Sequence, residues 1–96
     1  MNRSNDKPLK EVFEQLLKVY NIKRKFDETS LVAAWPEMMG KAIANRTKTL
    51  YIRDRKLYIR VESSVIKNEL LMIRQQIIDR MNERAGSVVI EEMVLL

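Results

Sequence analysis

Residues 47–62, Thr-Lys-Thr-Leu-Tyr-Ile-Arg-Asp-Arg-Lys-Leu-Tyr-Ile-Arg-Val-Glu, alternate apolar and polar side chains on both sides of a polar centre. That period of two, broken by a short polar turn, is the pattern of a half-buried β-hairpin. Leu50, Ile52, Leu57, Ile59 and Val61 fall on one face, and Tyr51, Arg53, Lys56, Tyr58 and Arg60 fall on the other. A turn centred on Asp54 and Arg55 sets Tyr51 opposite Tyr58 and Arg53 opposite Lys56. Like charges opposed across a ladder cost stability, so folding alone does not account for such a pair beside two exposed rings. A polyanion would supply the missing counter-charge.

Upstream, Leu9, Val12, Phe13, Leu16, Leu17 and Tyr20 recur at helical spacing, with Pro8 in the first turn and Glu14 and Lys18 paired on the wet side. They predict an amphipathic helix capped by Ser4 or Asp6, after an N-terminus, residues 1–7, expected to be disordered. Residues 21–25 read as a turn or short helical piece, and Lys23-Arg24-Lys25 makes a second cationic spot. Thr29 or Ser30 is expected to cap a second helix through Trp35, which Pro36 kinks or ends and Gly40 stops. Trp35 reads as core. A further short turn, residues 41–45, brings Ile43 and Ala44 inward.

Downstream of the hairpin, Ser63 or Ser64 is expected to cap the longest helix, about residues 65–84, ended by Ala85-Gly86. Ile66, Leu70, Ile73, Ile77 and Met81 form a stripe that should lie on the hairpin's buried side. Leu71 and Ile78 sit well round from it, and either widen the core contact with the first helix or form an exposed partner-binding edge. Residues 87–96 read as a third strand whose uneven apolar pattern leaves its register open. The expected class is α+β in the order α-α-β-β-α-β: a three-stranded sheet with helices packed on one face and the other face open. A right-handed crossover through the long helix makes the third strand parallel to the second. Strand order stays open.

With 96 residues the chain has room for one domain, residues 8–96, and no separate catalytic one. Its net charge of +5 is concentrated. Between residues 41 and 60 stand seven cations, Lys41, Arg46, Lys48, Arg53, Arg55, Lys56 and Arg60, against the single anion Asp54. Nucleic acid is the commonest partner of a small domain charged in this way. In that reading the cations meet phosphates while Tyr51 and Tyr58 stack on unpaired bases.

Cysteine and histidine are both absent, which removes disulfides, thiolate metal sites and the usual zinc ligands and neutral-pH bases. Glu91 and Glu92, neighbours on a strand, point to opposite faces and cannot share a proton. Asp27-Glu28 reads as a helix-start anion pair, and Ser63-Ser64 as a cap without a base beside it. The expectation is a protein that is not an enzyme, with no cofactor, no small-molecule substrate and no membrane association. No apolar run resembles a signal peptide or a membrane span, so a cytoplasmic location is expected.

Three segments carry a likeness beyond composition. They are Trp35-Pro-Glu-Met-Met-Gly40-Lys-Ala-Ile43-Ala44-Asn-Arg-Thr47, Leu57-Tyr-Ile-Arg-Val61 followed by Ser63-Ser64 and Glu69-Leu70, and the helix ending at Gly86 before a valine-rich strand. Together they resemble the DciA family of bacterial proteins, and the element order resembles a KH-like domain. The resemblance implies a replication factor that contacts the DnaB-type replicative helicase and single-stranded or forked DNA, with Leu71, Arg74 and Ile78 the first residues to test for helicase contact. Asn45-Arg46 stand where relatives tend to carry a histidine before the threonine. KH domains that clamp RNA use a Gly-x-x-Gly loop, whereas only Gly40 and Gly86 occur here, so nucleic acid must meet the sheet face or the strand-loop cations. The alternatives are a KH-like RNA-binding protein associated with ribosomes or structured RNA, and a protein-only adaptor with a basic face.

Overall fold

A computed structural model describes residues 6–96, with side chains from Pro8 onward. Ser4, and the expected disordered N-terminus up to residue 5, lie outside the described residues, as does the side chain of Asp6, where the first helix begins. The elements are α1 (Asp6–Ala33), α2 (Trp35–Met39), α3 (Lys41–Asn45), β1 (Thr47–Arg53), β2 (Lys56–Val61), α4 (Ser64–Met72), α5 (Arg74–Ala85) and β3 (Glu92–Leu95). With the short and interrupted helices grouped, the order is the α-α-β-β-α-β expected of this α+β chain.

The hairpin forms as its alternation predicts. Tyr51 pairs with Tyr58 and Arg53 with Lys56 in an antiparallel ladder. Asp54 and Arg55 both take positive φ, 51° and 64°, as a two-residue type I′ turn requires. β3 joins β2 in parallel, so the sheet order is β1-β2-β3. The third strand is shorter than expected. Residues 87–91 form a loop whose Val89 and Ile90 are buried, and Asn82 holds that loop. Its Oδ1 accepts from the Val89 and Ile90 amides at 2.8 and 3.0 Å, while its Nδ2 donates to the Ile90 carbonyl at 2.9 Å.

One core fills the covered side of the sheet, with Leu57, Ile59, Leu70, Met81 and Ile90 fully enclosed. Each such side chain contributes roughly 1.5–3 kcal/mol relative to exposure. Trp35 is 2 % exposed, as a core residue should be. Its indole N–H donates to the Thr47 hydroxyl at 3.1 Å, and that hydroxyl donates to the Ile43 carbonyl at 2.8 Å. This relay explains the Trp35, Ile43 and Thr47 spacing: one hydroxyl ties the end of α1–α3 to the start of β1.

Helix boundaries depart from expectation in two places. The first helix is continuous for 28 residues, with neither a turn at 21–25 nor a cap at Thr29 or Ser30. Residues 21–30 contain no Gly or Pro to end it, and Lys23–Asp27 (2.8 Å) and Arg24–Glu28 (4.0 Å) support it at i,i+4 spacing. Asp27-Glu28 is therefore a mid-helix pair and not a helix start. The break falls at Ala34, just before Pro36, whose missing N–H cannot continue the ladder. The helix expected at 65–84 is divided at Ile73 into α4 and α5, leaving α1 the longest. Ser63 caps α4 by accepting from the Ile66 amide at 3.2 Å, and Gly86 ends α5 in the left-handed region at φ 79°.

The stripe of α1 does not enter the core. Leu9, Val12, Phe13, Leu16, Leu17 and Tyr20 are 47–70 % exposed, and the buried residues begin at Leu31. The molecule measures 66 × 21 × 19 Å because the first four turns of α1 project from the body. No helix among the described residues is long and apolar enough to cross a membrane.

Candidate nucleic-acid interface

Alternation on a twisted hairpin sends Leu57 and Ile59 into the core and leaves Tyr51, Arg53, Lys56, Tyr58 and Arg60 on the uncovered face. The two tyrosine rings stack on each other, centroids 4.8 Å apart and planes 11° from parallel. The Arg53 guanidinium lies 5.7 Å from the Tyr51 ring centroid. Tyr51 is thus bounded by Tyr58 on one side and approached by a cation, and Tyr58, on the central strand, has Tyr51 on its β1 side. On the β3 side the parallel register places Val94 next to Tyr58 and Glu92 next to Lys56.

The counter-charge that the hairpin alone lacked comes partly from within the molecule. Lys56 stands 3.9 Å from Glu92, and Arg55 stands 3.8 Å from Glu91. Glu91 and Glu92 therefore serve different cations and form no shared acid–base pair. Arg53 and Arg60 have no acidic partner among the described residues and are exposed. These two arginines, flanking the tyrosine stack, carry the open positive charge of the face. Arg53 and Arg60 sit at opposite ends of the tyrosine pair. The four residue steps from Lys56 to Arg60 span about 13 Å, close to the rise of four nucleotide steps in one strand.

Not every candidate belongs to this face. Arg55 turns away: its guanidinium donates to the Val88 carbonyl at 3.1 Å and to the Tyr20 hydroxyl at 3.3 Å, linking the turn to the 86–91 loop and to α1. Its backbone carbonyl accepts from the Glu91 amide at 2.7 Å and so leads into β3. Arg55 is a tether, a role its place in a turn did not announce. Lys41 and Arg46 lie on and just after α3, at the end of the hairpin away from the turn, and Lys48, at an irregularity of β1, is 3.4 Å from Glu62.

On the helical side, Leu71 is 39 % exposed and Arg74 is exposed at the α4–α5 junction, whereas Ile78 is 4 % exposed and belongs to the core. Leu71 is thus exposed while Ile78 joins the core, so Ile78 has no surface to offer a partner. The structural residues that pattern reading missed, Thr47 and Asn82, act through hydrogen bonds, which leave no periodicity in a sequence.

Over residues 8–95 the chain matches the family described as Dna[CI] antecedent, DciA. No curated protein matches it.

Proposed function

The chain belongs to the DciA family, which is associated with the loading of the DnaB-type replicative helicase, and we propose that within this replication role it binds the helicase and, weakly and without sequence preference, single-stranded or forked DNA. The observation that carries the DNA half is the stacked Tyr51–Tyr58 pair between two arginines without acidic partners among the described residues, on the sheet face that the helices leave bare. Phosphates are met by Arg53 and Arg60, with Lys56 shared between Glu92 and the ligand. Unpaired bases stack against the half-buried tyrosine pair, a contact that every base can make because each has a π-face. The helicase half rests on the family, and Leu71 with Arg74 offers the apolar-and-cationic spot to test for it.

Fluorescence anisotropy with labelled single-stranded, forked and duplex oligomers tests the DNA contact. Engagement of about three phosphates gives a log–log salt slope near −2 for single strands and near −2.7 for duplex. Replacing Arg53 and Arg60 together by Gln removes most of that slope. Tyr58→Ala weakens single-strand binding by about 1–3 kcal/mol and costs only about 0.2–1 kcal/mol of cross-strand stability. A flat salt dependence, or a double-Gln variant that binds like the parent, defeats the proposal. Tighter binding to a matched RNA oligomer replaces DNA by RNA as the ligand. Capture on purified helicase, undiminished by Leu71→Glu with Arg74→Glu, removes the spot at the α4–α5 junction.

A further inference from the structure

The projecting part of α1 is an unfinished structure. An isolated helix of this length is marginal in water, and amphipathic helices in proteins are stabilised chiefly by what covers their apolar face. Here nothing covers it: Leu9, Val12, Phe13, Leu16, Leu17 and Tyr20, all on one side of the helix, are 47–70 % exposed. At roughly 150–250 Å² for a large aromatic side chain and somewhat less for an aliphatic one, they present on the order of 600 Å² of apolar surface. That equals the upper end of the about 300–600 Å² found for the largest patch on a typical monomer. Two such patches together supply the ~1,200 Å² at which stable interfaces begin.

We propose that this stripe is covered by the same stripe of a second copy of the chain, in an antiparallel helix pair about a two-fold axis between Phe13 and Leu16. Three observations favour this occupant. The projecting segment is electrically balanced, Lys10 and Lys18 against Glu11 and Glu14, although the chain as a whole carries +5. Two copies therefore meet there without the repulsion of their basic faces, while a polyanion or an anionic membrane finds no excess of cations. The stripe also has defined ends. Beyond Tyr20 the same side of the helix turns polar at Lys23, Arg24 and Asp27, with Lys23 and Asp27 bridged at 2.8 Å. This side of the helix is thus one about 17 Å segment, from Leu9 to Tyr20, which an antiparallel mate with Leu9 opposite Tyr20 covers, while Val19, Ile22 and Phe26, 62–68 % exposed, continue the apolar surface along its flank. An isologous contact of this kind closes at two copies.

The third observation is where the stripe leads. It runs into a cleft of about 250 Å³ between α1 and the 86–89 loop, lined by Tyr20, Arg55 and Val88 among others. Val88 is 59 % exposed at its edge. In the antiparallel arrangement the Leu9 turn of each protomer arrives beside this cleft in its partner, where Tyr20 and Val88 offer apolar contact at a rim that also carries Lys23, Arg24 and Asp27. The tyrosine and arginine face of the sheet takes no part, so the pairing stands or falls independently of DNA binding.

Sedimentation equilibrium of the full chain over a wide concentration range tests the pairing. The expected result is a reversible dimer of twice the 11.4 kDa protomer mass. Leu16→Glu weakens it by ~100-fold or more, because a carboxylate is forced into an apolar seam. Leu16 lies outside the core, so the variant keeps its Trp35 fluorescence and a cooperative unfolding transition of the body. The chain has no cysteine of its own, and the orientation is therefore readable by oxidising a mixture of Phe13→Cys and Leu16→Cys proteins. The antiparallel pair gives the mixed disulfide in preference to either like-with-like product. A monomer at every concentration overturns the proposal, whether or not the stripe then binds helicase or lipid vesicles. A dimer indifferent to Leu16→Glu, or like-with-like disulfides alone, overturns it equally.

Discussion

A single hydroxyl, that of Thr47, accepts from the buried indole of Trp35 and donates to the carbonyl of Ile43. Valine has the same branched shape without the oxygen, so Thr47→Val deletes both bonds and leaves packing almost unchanged. The indole N–H, on a residue 2 % exposed, then loses its partner, and an unsatisfied buried donor costs about 1–3 kcal/mol. Thr47→Ser keeps the hydroxyl and gives up only a methyl, so it should be the milder change. Urea denaturation followed by the fluorescence of Trp35, the only tryptophan, measures both. Equal midpoints for the parent and the valine variant would show that the relay contributes nothing. The test also separates two explanations for the Trp35-to-Thr47 spacing, a polar relay or mere size and shape.

At the scale of elements, legibility followed the strength of the local rule. The hairpin, its turn and its cross-strand partners were readable because a period of two with a two-residue turn admits one register. The parallel third strand followed from the handedness of the crossover. Ser63 and Gly86 were readable because caps have a residue preference with a mechanism. What failed was punctuation without a breaker. Residues 21–30 are polar enough to suggest a turn, yet nothing in them forbids a helix, and two i,i+4 ion pairs favour one. The division at Ile73 has neither Gly nor Pro to mark it. Within the candidate site the aromatic and cationic face was legible, while the diversion of Arg55 was not, since its partners Tyr20 and Val88 are 35 and 33 residues away in sequence. That diversion has a measurable consequence. Arg55 holds φ at 64°, a region where a side chain costs roughly 1–2 kcal/mol, in exchange for its tethers to α1 and the 86–91 loop. Arg55→Ala loses the tethers and keeps the strain; Arg55→Gly loses the tethers and relieves it. The glycine variant should therefore exceed the alanine variant by about 1 kcal/mol in chemical denaturation. Equal stabilities would mean that the turn is not left-handed at this position in solution.

For the whole molecule, the decisive fact is the separation of a folded body from a bare helix. Periodicity shows that a helix has an apolar face but carries no information on what will cover it, and the stripe of α1, legible as an amphipathic face, lies outside the core. Every buried residue among those described lies at Leu31 or later, so the body should not need the projecting turns. Deleting residues 1–19 retains Tyr20, whose hydroxyl accepts from Arg55, and removes no core side chain among the described residues. In dilute solution the shortened chain should melt within about 4 °C of the full chain, a shift corresponding to less than about 1 kcal/mol for a domain of this size. At high concentration the two must diverge if a second copy covers the stripe. Association then stabilises the full chain by mass action, its melting temperature climbs with concentration, and that of the shortened chain stays level. Parallel melts at all concentrations would leave the stripe without a self-partner. A large loss in dilute solution would instead mean that the projecting helix braces the body, contrary to the exposure of its side chains.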